Sequence, residues 1–86
     1  MASYSLEISR TAEKQLRGLP REDQERVAAA MVVLGVEPFP ARCRKLAGHT
    51  DVYRVRVGRY RVIYSVEQDR LIVIILQIGH RKDIDR

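Results

Sequence analysis

Cys43 is the only cysteine in these 86 residues, so neither an intramolecular disulfide nor a cysteine zinc cluster can form. The two histidines, His49 and His80, lack metal-ligand spacing from each other and from Cys43. No glycine-rich phosphate loop, Ser–His or Cys–His arrangement, or dinucleotide fingerprint is present. The chemistry is therefore expected to need no cofactor and no metal. The longest apolar run, Leu71 to Leu76, is far too short to cross a bilayer. The first residues lack a basic segment followed by an apolar core, so no export signal is read. A lone cysteine without such a signal suits a reducing cytoplasm, away from membranes. Repeats, linkers and low-complexity stretches are also missing, and the length fits one domain spanning 1–86.

The chain is 45% hydrophobic and 31% charged, the balance of an ordinary folded protein. Sixteen lysines and arginines oppose 11 acidic residues, for a net charge of +5. That excess favours a polyanionic partner, nucleic acid before an acidic protein.

Tyr4, Leu6 and Ile8 alternate with Ser5 and Glu7, which predicts a first strand. Ser9 is placed to cap a helix whose inner positions are Ala12, Leu16 and Leu19, with Gly18 as its stop. Pro20 opens a second helix, followed by Glu22 and Asp23 in its first turn. Val27, Met31 and Leu34 give that helix an apolar stripe, widened by Ala30 and Val33. Gly35 ends the pattern, and Pro38 and Pro40 prevent it from resuming. The short connection makes the helices an antiparallel hairpin that needs a sheet to cover. Residues 37–50 read as a loop holding Arg42, Arg44, Lys45 and His49.

From Tyr53 to Tyr64, arginine alternates with valine or tyrosine on both sides of Gly58. The alternation is that of strands, and Gly58-Arg59 suits a two-residue type II′ turn. Val57 then pairs with Tyr60, Arg56 with Arg61, Val55 with Val62, Arg54 with Ile63 and Tyr53 with Tyr64. One face gathers the valines and tyrosines, the other Arg54, Arg56 and Arg61. Like charges set opposite each other destabilise a sheet by about 0.2–1 kcal/mol. A solvated polar face would explain one such strand. Three converging guanidiniums point instead to a phosphate-binding surface, since guanidinium grips phosphate bidentately.

Leu71 to Ile78 is nearly all apolar, which predicts an interior strand buried on both faces. The order is β-α-α-β-β-β, with a tail from Gly79 able to form one helical turn. The fold class is α+β: a mostly antiparallel sheet of about four strands, with the helical hairpin on one face and the arginine face open. The last strand returns toward Gly58 and brings His80 and Arg81 to the Arg56/Arg61 end. Arg44, Lys45 and Lys82 stand on the rim.

Such groups can build a ribonuclease, in which the ribose 2′-hydroxyl attacks the adjacent phosphate. Cations must then stabilise the pentacovalent phosphate, a base must take the 2′ proton and an acid must serve the leaving 5′ oxygen. Arg61 and Arg81 are the cations, and His80 is the titrating candidate near neutral pH, or else an ordinary tail histidine.

The hairpin from Tyr53 to Tyr64, preceded by Lys45, Leu46, Ala47 and Gly48 and followed by Ile78, Gly79, His80 and Arg81, resembles the RelE branch of the RelE/ParE toxin superfamily. The likeness extends to Ala12, Leu16, Leu19, Pro20 and the Pro38 loop. It implies the RelE-like fold and the toxin of a type II toxin–antitoxin pair, which enters the ribosomal A site and cleaves mRNA. It also implies a cognate RelB-like antitoxin that covers or distorts the basic face, with the complex binding operator DNA through that antitoxin. Arg61 and Arg81 match the family's arginines of the cleavage site. Arg54 and Arg56 match its RNA-binding basic positions, beside Arg44, Lys45 and Lys82. Asp85 occupies the position where the branch commonly carries a base-stacking tyrosine, and a carboxylate there repels phosphate. An attenuated toxin, a substitution that permits safe production, and a mechanism carried by other residues all fit this departure. Two other functions share the scaffold: a ParE-like inhibitor of DNA gyrase without catalysis, and an inactive module that only binds antitoxin.

Overall fold

The computed structural model describes residues 3–80. Strand β1 (Ser5–Ile8) leads into helices α1 (Arg10–Arg17) and α2 (Arg21–Val36), and β2 (Arg44–Lys45), β3 (Val52–Val57), β4 (Tyr60–Glu67) and β5 (Ile72–His80) follow. The strands form one sheet in the order β1-β5-β4-β3-β2, with β1 parallel to β5 and the other neighbours antiparallel. Both helices lie on the same face. The architecture is the expected α+β one with a fifth strand, the two-residue β2, where a plain loop was read.

Local chemistry sets the boundaries. The Ser9 hydroxyl accepts from the Ala12 amide at 3.0 Å and donates to the Leu76 carbonyl at 2.9 Å, so it caps α1 and ties it to β5. Gly18 closes α1 in ordinary right-handed geometry (φ −78°). The Gln24 side-chain amide donates to the Arg17 and Leu19 carbonyls, both at 3.0 Å, and joins the two helices at their tight turn. Helix α2 runs one residue past Gly35. The Gly35 carbonyl accepts from the Tyr4 amide at 2.7 Å, which ties the end of the helix to the residue before β1.

The core contains the expected stripe of Val27, Met31 and Leu34, with Ala12 of α1 beneath it. Val33 does not belong to it and is 54% exposed, because the stripe turns away from the sheet on that side. From the sheet come Val55, Val57, Tyr60, Val62, Tyr64, Val66, Val73, Ile75 and Ile78. Two tyrosines fix α2 over β4: the Tyr60 hydroxyl donates to Asp23 at 2.9 Å near the start of the helix, and the Tyr64 hydroxyl to the Pro38 carbonyl at 2.7 Å beyond its end.

Strand β5 is interior as expected but is not buried on both faces. Val73, Ile75 and Ile78 are buried, whereas Ile72, Ile74 and Leu76 are only half-buried. Its pairing with β4 jumps from Tyr64↔Ile75 to Ile63↔Gln77, leaving Leu76 as a bulge. The bulge resets the inward phase, so Ile78 enters the core and Gln77 faces the other way.

Candidate nucleic-acid interface

The hairpin pairs as the sequence predicts, from Val57↔Tyr60 and Arg56↔Arg61 to Tyr53↔Tyr64. Gly58 takes φ +61°, and Arg59 is not among the positive-φ residues, so the turn is type II′ rather than I′. The arginines therefore project from the sheet face opposite the helices. The edge strand extends their row, because Arg44 stands directly across from Arg54. Arg42, Arg44, Arg54 and Arg56 together with Ala41 line a cavity of about 440 Å³, and no carboxylate is among those lining residues. Four guanidiniums facing one space make a strongly positive concavity, suited to oxyanions.

The arginine face is less open than the sequence implied. Arg44 and Arg56 are exposed and Arg54 is half-buried. Arg61 is only 2% exposed, packed into the sheet beside Arg56 on one neighbouring strand and Gly79 on the other. Gly79 has no side chain to compete for that space. Arg61 is thus a fixed, buried cation, and the other three are arms at the surface.

His80 departs from the expected cluster. Its backbone does return to the Gly58 end, but its register partner is Tyr60, whose side chain points toward the helices. The His80 and Tyr60 rings meet edge to face at 5.8 Å, on the opposite side of the sheet from Arg56 and Arg61. Tyr60 is itself held by Asp23, and that hydrogen bond, ahead of burial, keeps its phenol above the usual range. Burial likewise raises the Tyr64 phenol, strongly. Lys45 pairs with Tyr53, so it too stands on the side away from Arg44. Arg81, Lys82 and Asp85 lie outside the described residues, as does the expected helical turn of the tail.

Arg42 is the member of this cavity that sequence reasoning left in the loop. Its signal was there: Arg42 and Arg44 flank Cys43 at the same two-residue spacing as Arg54 and Arg56 around Val55. Among the described residues, no group of three or more His, Cys, Asp and Glu could hold a metal ion, and no helix is long and apolar enough to cross a membrane.

Residues 6–85 match the ParE toxin family of type II toxin–antitoxin systems. Toxin RelG of Mycobacterium tuberculosis is 35% identical over 92 residues, an alignment covering 96% of this chain and 97% of that protein. The RelE–RelB complex of Pyrococcus horikoshii contains a chain 34% identical to this one, with a TM-score of 0.82 over 93% of this chain and 97% of its own. The RelBE2 toxin–antitoxin complex of M. tuberculosis gives a TM-score of 0.84 at 26% identity, covering 94% of each chain. By sequence and fold alike, the chain belongs to the RelE/ParE superfamily of type II toxins, in its RelE branch.

Proposed function

We propose that the protein is a ribosome-dependent mRNA endoribonuclease that cuts in the A site and so arrests translation. One observation carries this reading: a cavity lined by Arg42, Arg44, Arg54 and Arg56 adjoins the buried Arg61 on a single sheet face. In the reaction the ribose 2′-oxygen forms a bond to the neighbouring phosphorus and the bond to the 5′-oxygen breaks. The products are a 2′,3′-cyclic phosphate and a free 5′-hydroxyl, with one proton leaving the 2′-oxygen and one arriving at the 5′-oxygen. Arg61 serves as the preorganised cation for the charge that builds on phosphorus, and Arg81 is the second. Arg42, Arg44, Arg54 and Arg56, with Lys82 at the rim, hold the strand, and Lys45, on the other side of the sheet, takes no part in holding it. The His80 ring lies across the sheet, packed on Tyr60, so we assign it to anchoring the strand end rather than to proton transfer. Asp85, in place of a stacking tyrosine, slows the reaction.

Expression without a partner, followed by mapping of mRNA ends on stalled ribosomes, tests this reading. The expected result is cleavage that increases in Asp85→Tyr; no cuts with either chain would sink it. A RelB-like antitoxin is the proposed partner, since neighbours of this fold are solved as RelE–RelB complexes. That complex would bind operator DNA through the antitoxin. The ParE description of the matching family favours one other reading, inhibition of DNA gyrase. Loss of supercoiling activity with translation unaffected would select it.

A further inference from the structure

Strand β1 ends at Ile8, so among the described residues no strand flanks the last part of β5 on the edge away from β4. Helix α1 and its cap take over that edge. The Ser9 amide donates to the Ile75 carbonyl at 2.8 Å, and the Ser9 hydroxyl donates to the Leu76 carbonyl at 2.9 Å. The Gln15 side-chain oxygen accepts from the Ile78 amide at 2.6 Å. Successive carbonyls of a regular strand point to opposite edges, yet those of Ile75 and Leu76 both turn to Ser9. That is the local signature of the bulge, and α1 supplies partners before and after it.

The bulge sets what stands beside Arg61. With it, Val62 pairs with Ile78 and Arg61 with Gly79. Continuing the Tyr64↔Ile75 register without it would pair Val62 with Gln77 and Arg61 with Ile78. A polar amide would then enter the core, and a branched side chain would press on the 2%-exposed Arg61 from the next strand. The bulged register has its own cost, because it must find partners for main-chain groups that β4 does not pair. Ile78 is 1% exposed, so without Gln15 its amide would lie unpaired and away from water. Gln15 thus favours the register that leaves only a glycine beside Arg61.

We propose that Gln15 is a positioning residue, which acts through Ile78 and Gly79 to hold Arg61 in place. The hold on Arg61 rests on these contacts alone. Its effect on cleavage rests on the endoribonuclease reading. Gln15 belongs to α1 and is not among the residues lining the arginine cavity, so it sets the rate of the chemical step and not the grip on RNA. Ser9 serves the same bulge but is the poorer probe, since it also caps α1.

The test compares Gln15→Leu, which removes the acceptor, with Gln15→Glu, which keeps one. Single-turnover cleavage at saturating protein, well below the melting temperature, should fall about ten- to a hundredfold in Gln15→Leu. It should recover most of the wild-type rate in Gln15→Glu, while affinity for a short labelled single-stranded RNA stays unchanged in both. A role in stability alone would lower the melting temperature without separating rate from affinity. The Nε–H resonance of Arg61, assigned by its absence from Arg61→Lys, reports the hold directly. Its exchange with water should quicken in Gln15→Leu and return to the wild-type rate in Gln15→Glu. The proposal is overturned if Gln15→Leu leaves that exchange unchanged, if it cleaves as fast as an active wild type, if it loses rate and RNA affinity together, or if Gln15→Glu behaves as Gln15→Leu does. A wild type that binds RNA but cuts nothing would overturn the endoribonuclease reading alone. Quickened Arg61 exchange in Gln15→Leu, restored in Gln15→Glu, would then still support the positioning role, and unchanged exchange would overturn it.

Discussion

On the helix side of β3 and β4, Val55, Val57, Val62 and Tyr64 are buried and packed against α2. On the other side of the same two strands, Arg54 and Arg56 stand above a positive cavity, in rows that set Arg44 against Arg54 and Arg56 against Arg61. Each apolar side chain taken out of water contributes about 1.5–3 kcal/mol to stability. Each like-charged cross-strand pair costs about 0.2–1 kcal/mol. The first face can therefore carry the second at a net gain. The difference teaches that stability and ligand binding are separated here by the two-residue period of a strand. Substitutions should divide the same way, and the following changes test that division.

The largest effect on folding belongs to the helix side. Ile75→Ala removes a side chain with no exposure at the meeting of β5, β1 and β4. Unfolding free energy should fall by about 2–5 kcal/mol, seen as a drop in both melting temperature and denaturant midpoint. A loss below about 1 kcal/mol would mean that the site collapses around the cavity, or that the core is looser than its burial implies.

Arg61 is where the two faces could be confused, because it is a binding-face residue with core-like burial. Arg61→Ala should slow single-turnover cleavage by about 10²–10³-fold, the usual loss for one preorganised stabilising donor. Arg61→Lys should recover only part of this, since an ammonium lacks the planar fork. If the lysine variant cleaves as fast as wild type, Arg61 supplies charge alone.

How much of this was legible in the sequence depends on distance along the chain. The hairpin register followed from a period and a turn, both local, and it held at every pair from Tyr53↔Tyr64 to Val57↔Tyr60. The Val27, Met31, Leu34 stripe and the Ser9 cap were local in the same sense. The facing of His80 depended on counting residues along β5, and the Leu76 bulge resets that count with no mark in composition. Arg61's burial and Val33's exposure likewise depend on what the fold brings above them. Arg42 joins the cavity only because β2 pairs with β3 and carries the preceding loop to the arginine face.

Tyr64→Phe probes the helix side without opening a cavity. It deletes a hydroxyl that donates to the Pro38 carbonyl at 2.7 Å, a loss of about 0.5–1.5 kcal/mol. The same phenol gives a pH signature. Its folded pKa lies above the usual 10.0, so its contribution is complete below pH 10 and is lost as alkali ionises the unfolded chain first. Wild type should therefore lose stability steadily above pH 10, and Tyr64→Phe should lose less over the same titration, measured by urea unfolding. Equal slopes would assign the alkaline loss to Tyr60 and its Asp23 bond instead.

The smallest effect is the one that separates the faces most cleanly, because its two readouts move in opposite directions. Arg56→Ala removes an exposed guanidinium from a like-charged pair with Arg61, so the melting temperature should rise by an amount worth a few tenths of a kcal/mol, up to about 1. The same change removes one phosphate contact, so RNA should bind more weakly and the slope of log affinity against log salt should shrink by about 0.7. A surface arginine on α2 provides the control: Arg21→Ala, which breaks only the exposed pair with Glu25, should leave both readouts unchanged. If Arg56→Ala instead lowers stability, the guanidinium is part of the fold, and the division between the two faces ends at Arg54.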